Sequence, residues 1–207
     1  MACGERKAKR NKHRMVSYNM TEIIMEKRTI PRFLTPVEVA EMLKLSQGSP
    51  RDSMLMKCMY FLGLTNSEVQ NLKIEDIDIA KGVVRITREN DKERNVPLPN
   101  GLAHELKDYI GLRQEGLLIS GRDKKSRISD RHIRRIVKEY AKAANVRKYE
   151  EIHPHTLRHS YATHLQNSGV PLNVIQNLLG HERIETTTIY THMGIEHAKE
   201  WVAKAFK

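Results

Sequence analysis

The chain has 207 residues, a formal net charge of +11 and 39% hydrophobic residues. That length suits one well-buried core, with little room for two, and the charge points to a polyanionic partner. No apolar run reaches the ~20 residues that cross a bilayer, and no charged-then-apolar signal peptide opens the chain, so a soluble, cytoplasmic protein without membrane contact is expected.

The two cysteines, Cys3 and Cys58, support neither a disulfide framework nor a cysteine-based metal site. Residues 1–32 carry Arg6, Lys7, Lys9, Arg10, Lys12 and Arg14 against Glu5 and offer little apolar surface. They read as a flexible basic arm, or equally as a tail that only aids solubility. Folded structure is expected from Thr35, because Thr35-Pro36-Val37-Glu38 supplies a capping hydroxyl, a proline at the first helical position and a glutamate at the third. Ser49-Pro50 restarts a helix whose Met54, Leu55, Cys58, Met59, Phe61 and Leu62 form a broad apolar face, and Gly63 stops it. That face reads as core, not as a cofactor box. Thr65-Asn66-Ser67-Glu68 is a second capping box, so a short helix follows it.

Positions 82–87 and 93–98 flank a polar turn and predict a hairpin. A third short strand is expected at 117–120. Leu102, Ala103, Leu106, Tyr109 and Ile110 recur at helical spacing, and after Ser129, an N-cap, so do Ile133, Ile136, Val137, Tyr140 and Ala144. Arg131, Arg134, Arg135 and Lys138 lie off that second stripe, beside a loop holding Arg122, Lys124, Lys125 and Arg127. A charge run is usually a solvated face, but one sign of charge on a helix and its adjoining loop fits DNA phosphates better. Ile195, Ala198, Val202 and Phe206, with Trp201 beside them, form the stripe of a terminal helix over 194–207. That helix either folds onto its own core or docks on a neighbouring protomer. The pattern predicts a mainly α domain with a small antiparallel β-sheet, an α+β fold, over 33–193.

The chemistry concentrates in the last third. Pro154 opens a helix on which His155 and Arg158, three residues apart, share a face near its positive end. An arginine fork donates two parallel hydrogen bonds to phosphate and keeps its charge. Histidine exchanges a proton near neutral pH. Gly169 ends this helix, Pro171 begins the next, and Leu178-Leu179-Gly180-His181 delivers His181 onto a loop after a glycine stop. Nine residues later stands Tyr190, whose hydroxyl is able to attack phosphorus where nearby cations favour the phenolate. A tyrosine beside isoleucine is more often a packed residue. His155, His159 and His164 on one helix also read as a zinc cluster, although no glutamate sits between His155 and His159 as in a metalloprotease helix. Metal is the weaker alternative.

His155-Thr156-Leu157-Arg158-His159, Leu178-Leu179-Gly180-His181 and Ile189-Tyr190-Thr191-His192, in that order, resemble the catalytic domain of the tyrosine recombinases, especially Xer-type recombinases and phage-type integrases. The likeness extends back through Gly63-Leu64, Ser67-Glu68, Asp76-Ile77-Asp78 and the segment 92–98. It implies strand breaking and rejoining of double-stranded DNA without metal or cofactor. Tyr190 would form a 3′-phosphotyrosyl bond, Arg158 and His181 would brace the phosphate and His155 would assist proton transfer. Oligomeric assembly on DNA, with like chains or with an intact recombinase, is part of the same implication.

Two positions depart from the family pattern. Gly-Leu-Arg-x-Ser-Glu becomes Gly63-Leu64-Thr65-Asn66-Ser67-Glu68, which places Thr65 where the first catalytic arginine stands. The hairpin lysine aligns with Glu89. Arg88 or Lys92 on the turn, or Lys73 from the short helix, are the substitutes the sequence offers. The resemblance also leads us to expect residues 1–32 in place of the family's N-terminal DNA-clamping domain. Losing one preorganised donor costs ~100–1,000-fold in comparable sites. The sequence therefore also admits a catalytically impaired relative that acts as an accessory DNA-binding or regulatory protein.

Overall fold

The computed structural model describes residues 32–88, 92–121, 123, 126–180 and 195–206. The basic arm assigned to 1–32 thus lies outside the described residues except for Arg32. That residue is tied to the fold, its guanidinium donating to Lys148 O at 3.0 Å and to Glu151 at 3.3 Å.

In chain order the described elements are α1 (Pro36–Leu45), α2 (Pro50–Phe61), α3 (Asn66–Asn71), β1 (Ile77–Asp78), β2 (Val83–Thr87), β3 (Glu93–Pro97), α4 (Asn100–Ile110), α5 (Asp130–Ala143), α6 (Pro154–Asn167), α7 (Leu172–Leu179) and α8 (Ile195–Ala205). The expected mainly α fold with a small antiparallel sheet is what the chain adopts. The strands run β1-β2-β3, and Val84 faces Val96 while Ile86 faces Arg94.

One expected strand does not form. Leu117 and Ser120 make only single bridges, to Lys73 and Arg127. Leu118 and Ile119 between them are both fully buried, so the segment lacks the in–out alternation of a sheet strand and crosses the core as a connector. The third strand is instead Ile77–Asp78, whose two residues are too few to show a period.

Local chemistry sets the helix boundaries. Thr35 and Glu38 cap α1 reciprocally, Thr65 and Glu68 cap α3 in the same way, and Ser129 caps α5 through the His132 N–H. Pro50 and Pro154 occupy first-turn positions where a missing N–H costs nothing.

Helix α2 is almost wholly internal, with Met54, Leu55, Met56, Cys58, Met59 and Tyr60 buried, and it packs on α6 and α4. Burial, against the lowering charge of Lys57, pushes the Cys58 thiol up to about 12, so it stays protonated and acts as a small apolar filler. Ser160 on α6 accepts from the Leu34 N–H at 2.8 Å and donates to Thr156 O at 2.7 Å, which fixes where the chain enters the fold. Helix α8 packs on β3 and α6 of its own chain with Val202 buried, and the Phe206 ring stacks on Tyr161 at 5.7 Å.

Gly63, which ends α2, joins this packing to the functional region. Its φ of +61° favours glycine, and a Cβ there would stand 2.7 Å from the fully buried Tyr161 ring. Gly63→Ala is therefore expected to lower stability by about 2–4 kcal/mol, combining left-handed strain with overpacking. Urea unfolding measures this, and a midpoint equal to wild type would mean that Tyr161 does not constrain the turn.

Candidate functional site

Arg158 sits on the second turn of α6 with only 9% of its surface exposed. Its Nη1 donates to Gly63 O at 2.5 Å and to Glu68 Oε2 at 3.4 Å, and its Nη2 to Leu179 O at 2.6 Å. The guanidinium thus joins the end of α2, the start of α3 and the end of α7. Burial pulls its pKa down to about 10. Glu68 opposes that shift and the charges of Arg94 and Arg88 add to it, yet the group stays cationic at neutral pH.

Glu68 is the centre of a larger cluster. Its carboxylate closes the α3 cap by accepting the Thr65 N–H at 2.9 Å, and it takes Arg94 through both oxygens, at 2.5 and 3.0 Å. Arg94 also donates from Nε to Leu178 O at 2.8 Å. Arg88 brings its Nε to 3.5 Å from Glu68 and donates from Nη2 to Leu179 O at 3.0 Å. Three guanidiniums therefore gather on one carboxylate and on the last two carbonyls of α7, the negative end of that helix. Burial would raise the Glu68 pKa. The hydrogen bond and charge of Arg94, the Thr65 N–H and the charge of Arg158 together outweigh it and hold the carboxyl below its ordinary value.

The sequence candidates divide accordingly. Thr65 is committed to the cap, its hydroxyl accepting the Glu68 N–H at 3.3 Å. Lys73 is exposed and lies 3.7 Å from Glu75, and no contact ties it to the arginine cluster among the described residues. Lys92 is exposed at the start of the returning strand, where its carbonyl accepts the Arg88 N–H at 3.0 Å. Glu89, His181 and Tyr190 lie outside the described residues.

Among the histidines, His155 and His159 lie on the exposed side of α6, and the partial desolvation of His159 against the helix, followed by the charges of His155 and Arg158, lowers its pKa. His164 is buried instead, its Nδ1 2.7 Å from the Tyr60 hydroxyl. The three do not converge, and no group of three or more metal-type side chains gathers among the described residues.

The basic candidates on α5 do come together. Arg131, Arg134, Arg135 and Lys138 line a surface groove of about 700 Å³ with Ser129, His132 and His153. His153 is the N-cap of α6, so the groove abuts the helix carrying His155 and Arg158. Arg127 is exposed in the bridge to Ser120, while Arg122, Lys124 and Lys125 lie outside the described residues.

Sequence reasoning gave Glu68 a capping role and counted it and Arg94 within the family likeness, but assigned neither to the site. A signal for Arg94 exists, since alternation puts it on the face of Val96, opposite Ile86 on the core side of the hairpin. An arginine on an inward strand position requires a buried acceptor.

The Glu68 cluster carries a pH prediction. A carboxyl held below its ordinary 4.5 adds stability that is fully present above the unfolded-state pKa and is lost as pH falls through the folded one. Glu68→Gln should cost about 3–5 kcal/mol at neutral pH, because it leaves buried guanidiniums without their counter-charge. It should also flatten the acid limb of a stability–pH curve, and an unchanged acid limb would remove Glu68 as the group responsible.

Comparison with known proteins identifies the family of the chain. Residues 32–197 match the phage integrase family. The tyrosine recombinase of Pseudothermotoga lettingae is 40% identical over 171 residues, covering 81% of this chain and 58% of that protein. Tyrosine recombinase XerA of Pyrococcus furiosus is 37% identical over 184 residues, covering 86% and 63%. The chain thus spans about three fifths of the length of these curated relatives. The crystal structure of XerA recombinase aligns with a TM-score of 0.68 at 26% identity, covering 83% of this chain and 64% of that one. The pre-cleavage complex of XerH site-specific recombinase bound to difH substrate gives 0.65 at 26%, covering 82% and 53%. The matched span contains the α6 start, the arginine cluster and positions 181 and 190, and on that footing the chain belongs to the phage integrase family.

Proposed function

We propose that the chain is a site-specific tyrosine recombinase or integrase-type enzyme that cuts and rejoins double-stranded DNA. The observation that carries this reading is the excess of positive charge around Arg158. Three guanidiniums face one carboxylate at the end of α7, directly before the segment that bears His181. Fixed donors around a phosphate stabilise the charge that grows in a pentacoordinate transition state. The tyrosine recombinases aligned above, including one bound to its DNA substrate, support the reaction class.

In this reading the Tyr190 oxygen attacks the scissile phosphorus as the bond to the 5′-oxygen breaks. A 3′-phosphotyrosyl link and a free 5′-hydroxyl result. The 5′-hydroxyl of a partner strand then attacks the same phosphorus and returns the tyrosine. Arg158 and His181 hold the non-bridging oxygens and His155 moves the proton. No step draws on a cofactor, because the energy of the broken bond is kept in the phosphotyrosine. The α5 groove tracks the DNA backbone, and the two strands being exchanged call for more than one protomer, like chains or an intact recombinase.

A second reading is a catalytically impaired relative that binds DNA and assists such an enzyme. The observation favouring it is Thr65, whose side chain is spent on the α3 cap and supplies no charge.

A pool of nicked duplexes of randomised sequence, followed by denaturing electrophoresis, separates the two. The enzyme reading predicts a covalent protein–DNA band that Tyr190→Phe abolishes while DNA binding persists. Binding without a band in the wild type selects the accessory reading. A band that survives Tyr190→Phe means a different nucleophile.

Binding itself should fall steeply with salt through counterion release. Replacing Arg131, Arg134 and Arg135 with alanine should reduce the log–log salt slope by about 0.9 for each phosphate that is no longer neutralised. An unchanged slope would take the α5 groove out of the DNA interface.

A further inference from the structure

We infer that Arg88, reaching the cluster from the end of β2, is the second phosphate-binding cation of this site beside Arg158, and that it fills the role left open at position 65. The inference deepens the proposed function and rests on it only for taking the phosphate to be that of DNA.

The three arginines of the cluster are not equivalent. Arg94 has three of its five donors engaged, its Nη1 and Nη2 on Glu68 and its Nε on Leu178 O, with 10% of its side chain exposed. Arg158 has both terminal nitrogens on protein acceptors and is also 10% exposed. Arg88 is held more lightly. Among the described residues one donor reaches Leu179 O, Glu68 stands 3.5 Å from its Nε, and 25% of the side chain is open. A guanidinium carries five N–H donors, so Arg88 is the member best able to turn a fork outward without dismantling the core.

Arg88 also lies beside Arg158. Both donate through Nη2 to the same carbonyl, Leu179 O, at 3.0 and 2.6 Å, so the two tips can stand no farther apart than those bonds together allow. Two guanidiniums this close repel one another. Among the described residues Glu68 answers one of the three charges, and the helix end contributes only about half a negative charge. An anion with several acceptor oxygens is the partner that relieves the imbalance, and bidentate guanidinium–phosphate contact is the matching geometry.

The fold explains why this residue is the one that reaches the site. Val84 and Ile86 are buried on the core face of β2, and Arg88 follows at the same two-residue spacing. Its N–H is pinned to Lys92 O at 3.0 Å, which anchors the mouth of the hairpin. Gly180 keeps the path clear, because a Cβ there would lie 2.7 Å from Arg88 Nη2.

Arginine Nε–H resonances report on this directly. The protein is titrated with inorganic phosphate against chloride at matched ionic strength, with the Arg88 signal assigned by its loss in Arg88→Lys. Arg88 and Arg158 should shift together while Arg94 stays in place. Arg88→Ala should weaken phosphate binding about tenfold or more, as the loss of a charged hydrogen bond requires. Its thermal midpoint in chloride should stay near that of wild type, whereas Arg94→Ala should lower the midpoint by several degrees. Phosphate affinity within about twofold of wild type in Arg88→Ala, or a shift confined to Arg94, would overturn the inference. If phosphate titrates through Arg88 and Arg158 while nicked DNA gives no covalent band, the clamp stands and only the strand-cleaving reading falls.

Discussion

The Glu68 carboxylate is where four of the elements named above meet. It closes the cap of α3, receives Arg94 from β3 and Arg158 from α6, and faces Arg88 at the end of β2. A carboxylate this deeply buried is costly, and an attraction to one arginine seldom repays the desolvation. Here several donors share the task, and the guanidiniums in turn satisfy the last carbonyls of α7. A short helix with no cationic residue in its own last turn thus has its negative end neutralised from outside. The same contacts hold the point from which the chain runs on to His181.

What could be read from the sequence divides by range. Helix starts were legible because a cap is a contact over three residues, as at Thr35, Thr65 and Ser129. The hairpin was legible through its alternation and polar turn. The third strand was not, because Ile77–Asp78 is too short to carry a period, and the hydrophobic run at 117–120 is a buried connector. Motif spacing singled out His155 and Arg158, both on α6, of which Arg158 joins the cluster. Glu68 and Arg94 escaped because their meaning is mutual, a pairing across 26 residues, with Arg158 a further 64 along the chain. Each alone reads as something ordinary, a capping acid and a strand-end base.

Position 65 illustrates a competition between two uses of one residue. As an N-cap, a short hydroxyl side chain satisfies orphan amides of α3 and is worth about 1 kcal/mol. An arginine cannot form that cap, though it would bring a charge to the same neighbourhood. Threonine here settles the conflict in favour of the helix. The fixed cap also orients the Glu68 carboxylate, since the Thr65 N–H and the arginines bind the same pair of oxygens. A tight α3 start therefore sharpens the placement of the cations around it.

That arrangement bears on the expectation that Thr65 stands where the family pattern has an arginine. A site with one arginine removed and nothing in its place would be electrostatically weak. Among the described residues the region holds more positive than negative charge, because β2 and β3 each deliver a guanidinium to the α6 arginine. The charge comes from a hairpin rather than from a helix start, so its position depends on sheet register. A one-residue slip between β2 and β3 would move Arg94 to the opposite face, away from Glu68. The pairing of Val84 with Val96 and of Ile86 with Arg94 is thus an electrostatic constraint as much as a packing one. The apolar residues of β2 and the arginines that flank them specify the same register.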